Sequence, residues 1–183
     1  AQQAADQLAA AAVDARIEIS GTGQRELVQA AAADVGRLGL EAAAVTWAQQ
    51  RRYATEWFPA AELVPTEGLV EALRVVKDEG EVARIEAAAR VADAALADVR
   101  ALLLDGPTEE EFGLALDTEI RRLGAEGTSF ETIVASGPNG AKPHHRPGSR
   151  RVCAGDLVVL DFGALVDGYC SDMTRTVMVG DPS

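Results

Sequence analysis

The residues most able to do chemistry in this chain are two acids and a histidine near its C-terminal end. Asp161 closes the apolar run Val158-Val159-Leu160, and Asp172 lies in the next stretch that reads as a strand. Between them stands Asp167-Gly168, a two-residue hairpin signal of type I′. With those two residues at the turn, Val166 faces Tyr169, Gly163 faces Asp172 and Asp161 faces Thr174. Side chains alternate along a strand, so Asp161 and Asp172 fall on one face as diagonal neighbours, roughly 7–8 Å apart at the backbone. Gly163 has no side chain, which is expected to leave the space opposite Asp172 open. Two carboxylates placed this way in a half-buried sheet repel unless a proton or a cation lies between them. A divalent cation meets that cost best. Oxygen donors suit Mn²⁺, Mg²⁺ or Ca²⁺, and Zn²⁺ or Co²⁺ enter when a histidine joins. Thr174 is the hydroxyl placed to orient Asp161 or a metal-bound water. The ordinary alternative for a strand Asp is a solvated position with no ligand at all.

The histidine lies upstream, in "SGPNGAKPHHRPGS". His144 and His145 are the only histidines in the sequence. They sit in a Gly/Pro-rich loop ahead of the acid-bearing strands. A loop histidine is usually just solvated, but beside carboxylates it can hold or protonate a substrate near neutral pH.

These residues need a scaffold, and the pattern supplies one. Asp78 with Glu81, and Thr108 with Glu111, are capping boxes that open helices. Val82, Ile85, Ala89, Ala92, Leu96, Val99 and Leu103 form the apolar stripe of the first helix, which Gly106-Pro107 ends. Phe112, Leu116, Ile120 and Leu123 form the stripe of the second, with Gly124 as its stop. Strands are expected over 130–136, 157–164 and 169–179, with 137–140 as a loop. Upstream, 16–19 and 60–64 read as strands, and 24–35 as a helix closed by Gly36 and Gly39. The fold class is therefore α/β (α+β), with a boundary at Pro65-Thr66-Glu67-Gly68: a partial α/β domain over 1–66 and a second domain over 67–183.

Composition restricts the partners. The chain has 183 residues, 48% hydrophobic and 25% charged, an ordinary globular balance. Its net charge of -12 argues against nucleic acid and anionic membrane as main partners. No apolar run reaches a membrane span. Two cysteines, Cys153 and Cys170, are too few for a disulfide framework, so a reducing, cytoplasmic setting is expected. The sequence starts at Ala1 without Met, as if an upstream segment had been removed.

Taken together, "ETIVASGPNGAKPHH" and "GDLVVLDFGALVDGYCSDMTRT" resemble the pita-bread metallopeptidases, in particular the Xaa-Pro group of aminopeptidase P and prolidase. "LRVVKDEGEVARI" resembles the helix that opens the catalytic domain of that family. The likeness covers residues 66 to 180, and residues 1 to 64 resemble more weakly the creatinase-type N-terminal domain. The resemblance implies the first half of a pita-bread catalytic domain. It implies hydrolysis of the peptide bond before proline on two divalent ions, typically Mn²⁺ and sometimes Co²⁺ or Zn²⁺. By motif, Asp161 is a bidentate metal ligand, Asp172 bridges the two ions, and His144 stands on the substrate side of the scissile bond. His145 has no role in the pattern, and its loss is expected to cost little. The implied partners are proline-containing peptides, with a homodimer for the complete enzyme. The chain departs from the pattern at its end. The family's next ligands, a His and two Glu, come much later, whereas only 11 residues follow Asp172 here, without His or Glu. The expectation is thus an internal piece or a truncated homologue, inactive alone. The alternative is a non-catalytic binding module that keeps half of the fold.

Overall fold

The computed structural model describes residues 23–180, so the strand expected over 16–19 lies outside the described residues. The chain divides into two compact units, one ending at Val75 and the other starting at Val76. Helix α3 (Leu69–Val75) lies between that division and the Pro65–Gly68 stretch.

The first unit is a small α/β layer. Its elements are α1 (Gln24–Ala31), β1 (Arg37–Glu41), α2 (Trp47–Arg52), which runs on into a π turn over Tyr53–Trp57, and β2 (Glu62–Thr66), followed by α3. β1 and β2 pair in parallel, from Arg37 opposite Glu62 to Glu41 opposite Thr66. α1 stops at Ala31, short of Val35. β1 was not expected, because Gly36 and Gly39 look like the end of a helix. Gly39 instead sits inside the strand, where a Cβ would come within 2.9 Å of the Thr66 methyl. α2 opens on a capping box of Thr46 and Gln49.

The second unit carries His144, Asp161 and Asp172. α4 (Glu79–Val99) begins at the Asp78–Glu81 capping box, with both reciprocal bonds at 2.8 Å. It tightens into a 3₁₀ turn over Arg100–Asp105 and stops at Gly106, which is left-handed at φ 65°. α5 (Glu109–Arg122) opens on the Thr108–Glu111 box. Gly124, at φ 102°, closes it with its N–H on the Arg121 carbonyl. The buried side of α4 is built mostly of small residues: Ala88, Ala92, Ala95, Leu96 and Val99. Val82, at the start of the expected stripe, is 53% exposed. Phe112, Leu116 and Ile120 of α5 are buried with them, against Val134, Val158, Leu160 and Phe162 of the strands. Removing this apolar surface from water stabilises the fold by about 25 cal/mol per Å².

The strands are β3 (Gly127–Thr128), β4 (Ile133–Ser136), β5 (Leu157–Phe162), β6 (Ala164–Val166), β7 (Tyr169–Cys170) and β8 (Met173–Met178), with a 3₁₀ turn over Gly137–Ala141 after β4. They form two antiparallel sheets, ordered β3-β6-β7 and β4-β5-β8. Each expected long strand is therefore broken in two. The break lies at Gly163 on one side and at Ser171-Asp172 on the other. There the regular ladder is interrupted: the Ser171 N–H still donates to the Ala164 carbonyl at 2.9 Å, but the return bond goes to a side chain, with Ser171 Oγ accepting from the Ala164 N–H at 3.0 Å. Ser129 Oγ lies within hydrogen-bond distance of the Ala164 carbonyl (2.9 Å) and the Ser171 carbonyl (2.6 Å). Among the described residues no helix is long and apolar enough to cross a membrane.

Candidate functional site

The register expected from Asp167-Gly168 is the one observed. Both turn residues have positive φ, 49° and 75°, as a type I′ turn requires. Val166 pairs with Tyr169, and Asp161 pairs with Thr174 beyond the break. No residue is gained or lost across the break, so the side-chain alternation carries through it. The turn is tied back to α4: Arg84 Nε binds Asp167 Oδ2 at 2.6 Å and Tyr169 Oη donates to Glu81 Oε1 at 2.8 Å.

Asp161 sits on the central strand of its sheet, between Ile133 of β4 and Thr174 of β8. Its neighbours Leu160 and Phe162 point into the core, so Asp161 faces away from it. Thr174 Oγ1 donates to Asp161 Oδ1 at 3.1 Å. Asp161 and Asp172 line one open cavity of about 420 Å³ together with His144, His145, Phe130, Glu131, Ile133 and Arg146. An adjoining hollow shares His144 and Asp161 and adds Thr174. Sequence reasoning thus brings together residues the fold also brings together.

Two expectations need correction. The space opposite Asp172 is not open at Gly163: a Cβ there would meet the Ser171 carbonyl oxygen at 2.0 Å and Ser129 Oγ at 2.8 Å. Gly163 is required because the opposite backbone and Ser129 close on it. The acids are also less buried than a half-covered sheet implies. Asp172 is exposed and Asp161 is half-buried, so water offsets much of the expected desolvation cost. The ion pairs among the described residues involve neither acid.

His144 is exposed and takes a left-handed backbone at φ 52°, a strained state for a residue with a Cβ. Its neighbour is not the bystander that was expected. His145 Nε2 lies 2.8 Å from Oε2 of Glu109, which is fully buried at the start of α5. Glu109 Oε1 also accepts from the Ser136 N–H (2.8 Å), Ser136 Oγ (2.7 Å) and Asn139 Nδ2 (2.9 Å). The Gly148 N–H reaches Oε2 at 3.3 Å. Arg150 extends the network, donating to Ser136 Oγ at 2.5 Å and to Asp156 Oδ2 at 2.7 Å. Burial alone would raise the Glu109 pKa. The donors on Asn139, Ser136 and His145 outweigh it and hold the pKa down to about 2, and the helix N-terminus acts in the same direction. Arg150 likewise keeps Asp156 below its ordinary value, against the effect of burial.

Glu109 escaped the sequence reading, though a signal existed. The buried stripe of α5 is Phe112, Leu116 and Ile120, and one helical step back from Phe112 is residue 109. An acid in phase with an apolar stripe must be paired inside the fold.

Known proteins are similar to this chain in sequence and fold. Residues 83–183 match metallopeptidase family M24, and residues 1–76 match the creatinase/prolidase N-terminal domain. The uncharacterized peptidase YqhT of Bacillus subtilis is 40% identical over 149 residues, which are 81% of this chain and 42% of that protein. A solved Xaa-Pro dipeptidase from Bacillus anthracis is 35% identical, with a TM-score of 0.88 over 100% of this chain and 50% of its own. The X-Pro aminopeptidase from Thermotoga maritima MSB8 is 34% identical, with a TM-score of 0.84 over 91% and 47%. The chain spans about half the length of the relatives it matches, or somewhat less. It combines a mixed helix-and-sheet, pita-bread type of fold with a preceding creatinase-type domain. With one match running over more than half of its residues, the chain belongs to metallopeptidase family M24.

Proposed function

We propose that this chain forms the substrate-facing first half of a metal-dependent peptidase that cleaves the bond before proline. The observation that carries the reading is that Asp161 on β5, Asp172 in the break between β7 and β8, and His144 in a separate loop line one cavity. The names of the two solved relatives, a Xaa-Pro dipeptidase and an X-Pro aminopeptidase, support a peptidase over a non-catalytic binding module.

Two carboxylates on one wall are hard oxygen donors that fit one side of a divalent-ion site, with Mn²⁺ favoured and Co²⁺ or Zn²⁺ as alternatives. They do not complete it. Among the described residues no group of three or more His, Cys, Asp or Glu is arranged to hold a metal, and such sites want about four to six donors. The remaining donors must come from outside the described residues. A bound metal would supply polarisation of the scissile carbonyl and a water activated at neutral pH.

The protein's own residues would act around it. Asp161 would hold the metal with one carboxylate face fixed by the Thr174 hydroxyl, which limits its rotation. Asp172, exposed and two residues before Thr174 on the same face, would supply the second carboxylate donor. His144 would reach the substrate from the loop and donate a hydrogen bond or a proton near the scissile amide. The substrates would be proline-containing peptides.

The test is hydrolysis of Ala-Pro and Ala-Pro-Ala with Mn²⁺, on this chain and on a polypeptide carrying it at the full length of its relatives. His144→Ala should lower kcat by about 10²–10⁴-fold with metal content unchanged. Asp172→Ala should remove metal and activity together. Near-normal turnover in His144→Ala would refute the role given to the loop.

A further inference from the structure

Glu109 is a fully buried charged side chain to which nothing in the proposed reaction gives a task. Its partners are arranged in an informative order. Ser136 ends β4, Asn139 lies in the 3₁₀ turn, and His145 and Gly148 lie at the far end of the same loop. One carboxylate thus pins the loop at its start, its middle and its end. The helix start adds two more ties: the Glu109 N–H binds the Arg150 carbonyl at 3.0 Å, and the Glu110 N–H binds the Gly148 carbonyl at 3.2 Å. His144 hangs from this frame, next to the pinned His145 and in a left-handed backbone conformation. Such a conformation persists only where the surroundings over-determine it.

We infer that Glu109 is a positioning residue: through His145, Ser136 and Asn139 it holds loop 137–148 so that His144 stays over the Asp161–Asp172 cavity. The functional side of this inference rests on the role proposed for His144. The chemistry is specific. All the groups around the Glu109 carboxylate are donors, and an ionised carboxylate only accepts. His145 must therefore carry its proton on Nε2, which fixes its tautomer and ring plane. A glutamine at 109 has the same shape but turns its amide NH₂ toward a donor whichever way it lies.

The experiment uses Glu109→Gln and His145→Ala in the 183-residue chain. It follows amide hydrogen exchange across the loop and across β5. It also follows the ring resonances of the two histidines, which are the only ones present. In Glu109→Gln, exchange at 139–148 should rise about 10-fold or more while β5 keeps its protection. The protected His145 Nε2–H signal should disappear. His145→Ala is the variant that stays informative if Glu109→Gln does not fold. It should loosen 144–148 and leave 136–139 protected. Unchanged loop exchange in both variants overturns the inference. So does an equal rise in loop and β5 in both, which would make Glu109 a core support only.

The catalytic arm separates the two readings. In the full-length polypeptide both variants should lower kcat about 10-fold or more, with metal content as in the wild type. A loosened loop with a fully active His144→Ala would leave the positioning intact and refute the role of His144. An inactive His144→Ala, with loop exchange and kcat unchanged in the other two, would refute the positioning alone.

Discussion

Replacing Glu109 by Gln removes a buried charge and almost no volume, so its effect on stability should depend on pH in a calculable way. In the folded chain the carboxyl group titrates at about 2 against an ordinary 4.5. At about 1.4 kcal/mol per pKa unit, that difference corresponds to stabilisation on the order of 3 kcal/mol. A depressed folded pKa means that the unfolded chain binds more protons on the acid side, so stability rises with pH there. The contribution is complete above the unfolded pKa near 4.5 and is lost as pH falls toward about 2. Wild type should therefore exceed Glu109→Gln by a few kcal/mol at pH 7, and the gap should close steadily below about pH 4.5. Urea unfolding followed by far-ultraviolet circular dichroism between pH 7 and pH 2.5 measures it. Trp47 and Trp57 both belong to the first unit, so tryptophan fluorescence would report the wrong half of the chain. A gap as wide near pH 2.5 as at pH 7, or none at pH 7, would refute the claim that an ionised Glu109 holds this network.

Other outcomes follow from the same geometry. Gly163→Ala places a methyl 2.0 Å from the Ser171 carbonyl oxygen, so it should destabilise by about 3 kcal/mol or more; a thermal midpoint equal to the wild type would show that the break between the sheets yields. Calorimetry with Mn²⁺ on the 183-residue chain should give binding weaker than micromolar, because two carboxylates supply too few donors; tight binding that Asp161→Asn abolishes would show that further residues of this chain complete the site.

Where a contact is local, the sequence alone specified it. Asp167-Gly168 set the register of the hairpin, because a two-residue turn with both φ positive leaves the flanking strands one way to pair. That register puts Asp161 opposite Thr174 and on the face of Asp172. Asp78 with Glu81 and Thr108 with Glu111 started both helices, because each cap is complete within four residues. Gly124 ended α5 for the same reason. Tertiary structure decided the rest. The hairpin splits between two sheets because Ser129, more than thirty residues upstream, bonds to the carbonyls of Ala164 and Ser171. β1 is a strand only because β2 lies beside it, and Gly39 belongs there only because Thr66 presses against it. Glu109 and Glu110 are adjacent residues of one type, yet one is fully buried and the other exposed. The helix period marks which of them turns inward. The donors that make a buried charge tolerable lie from 27 to 39 residues away, and only the folded chain brings them to it.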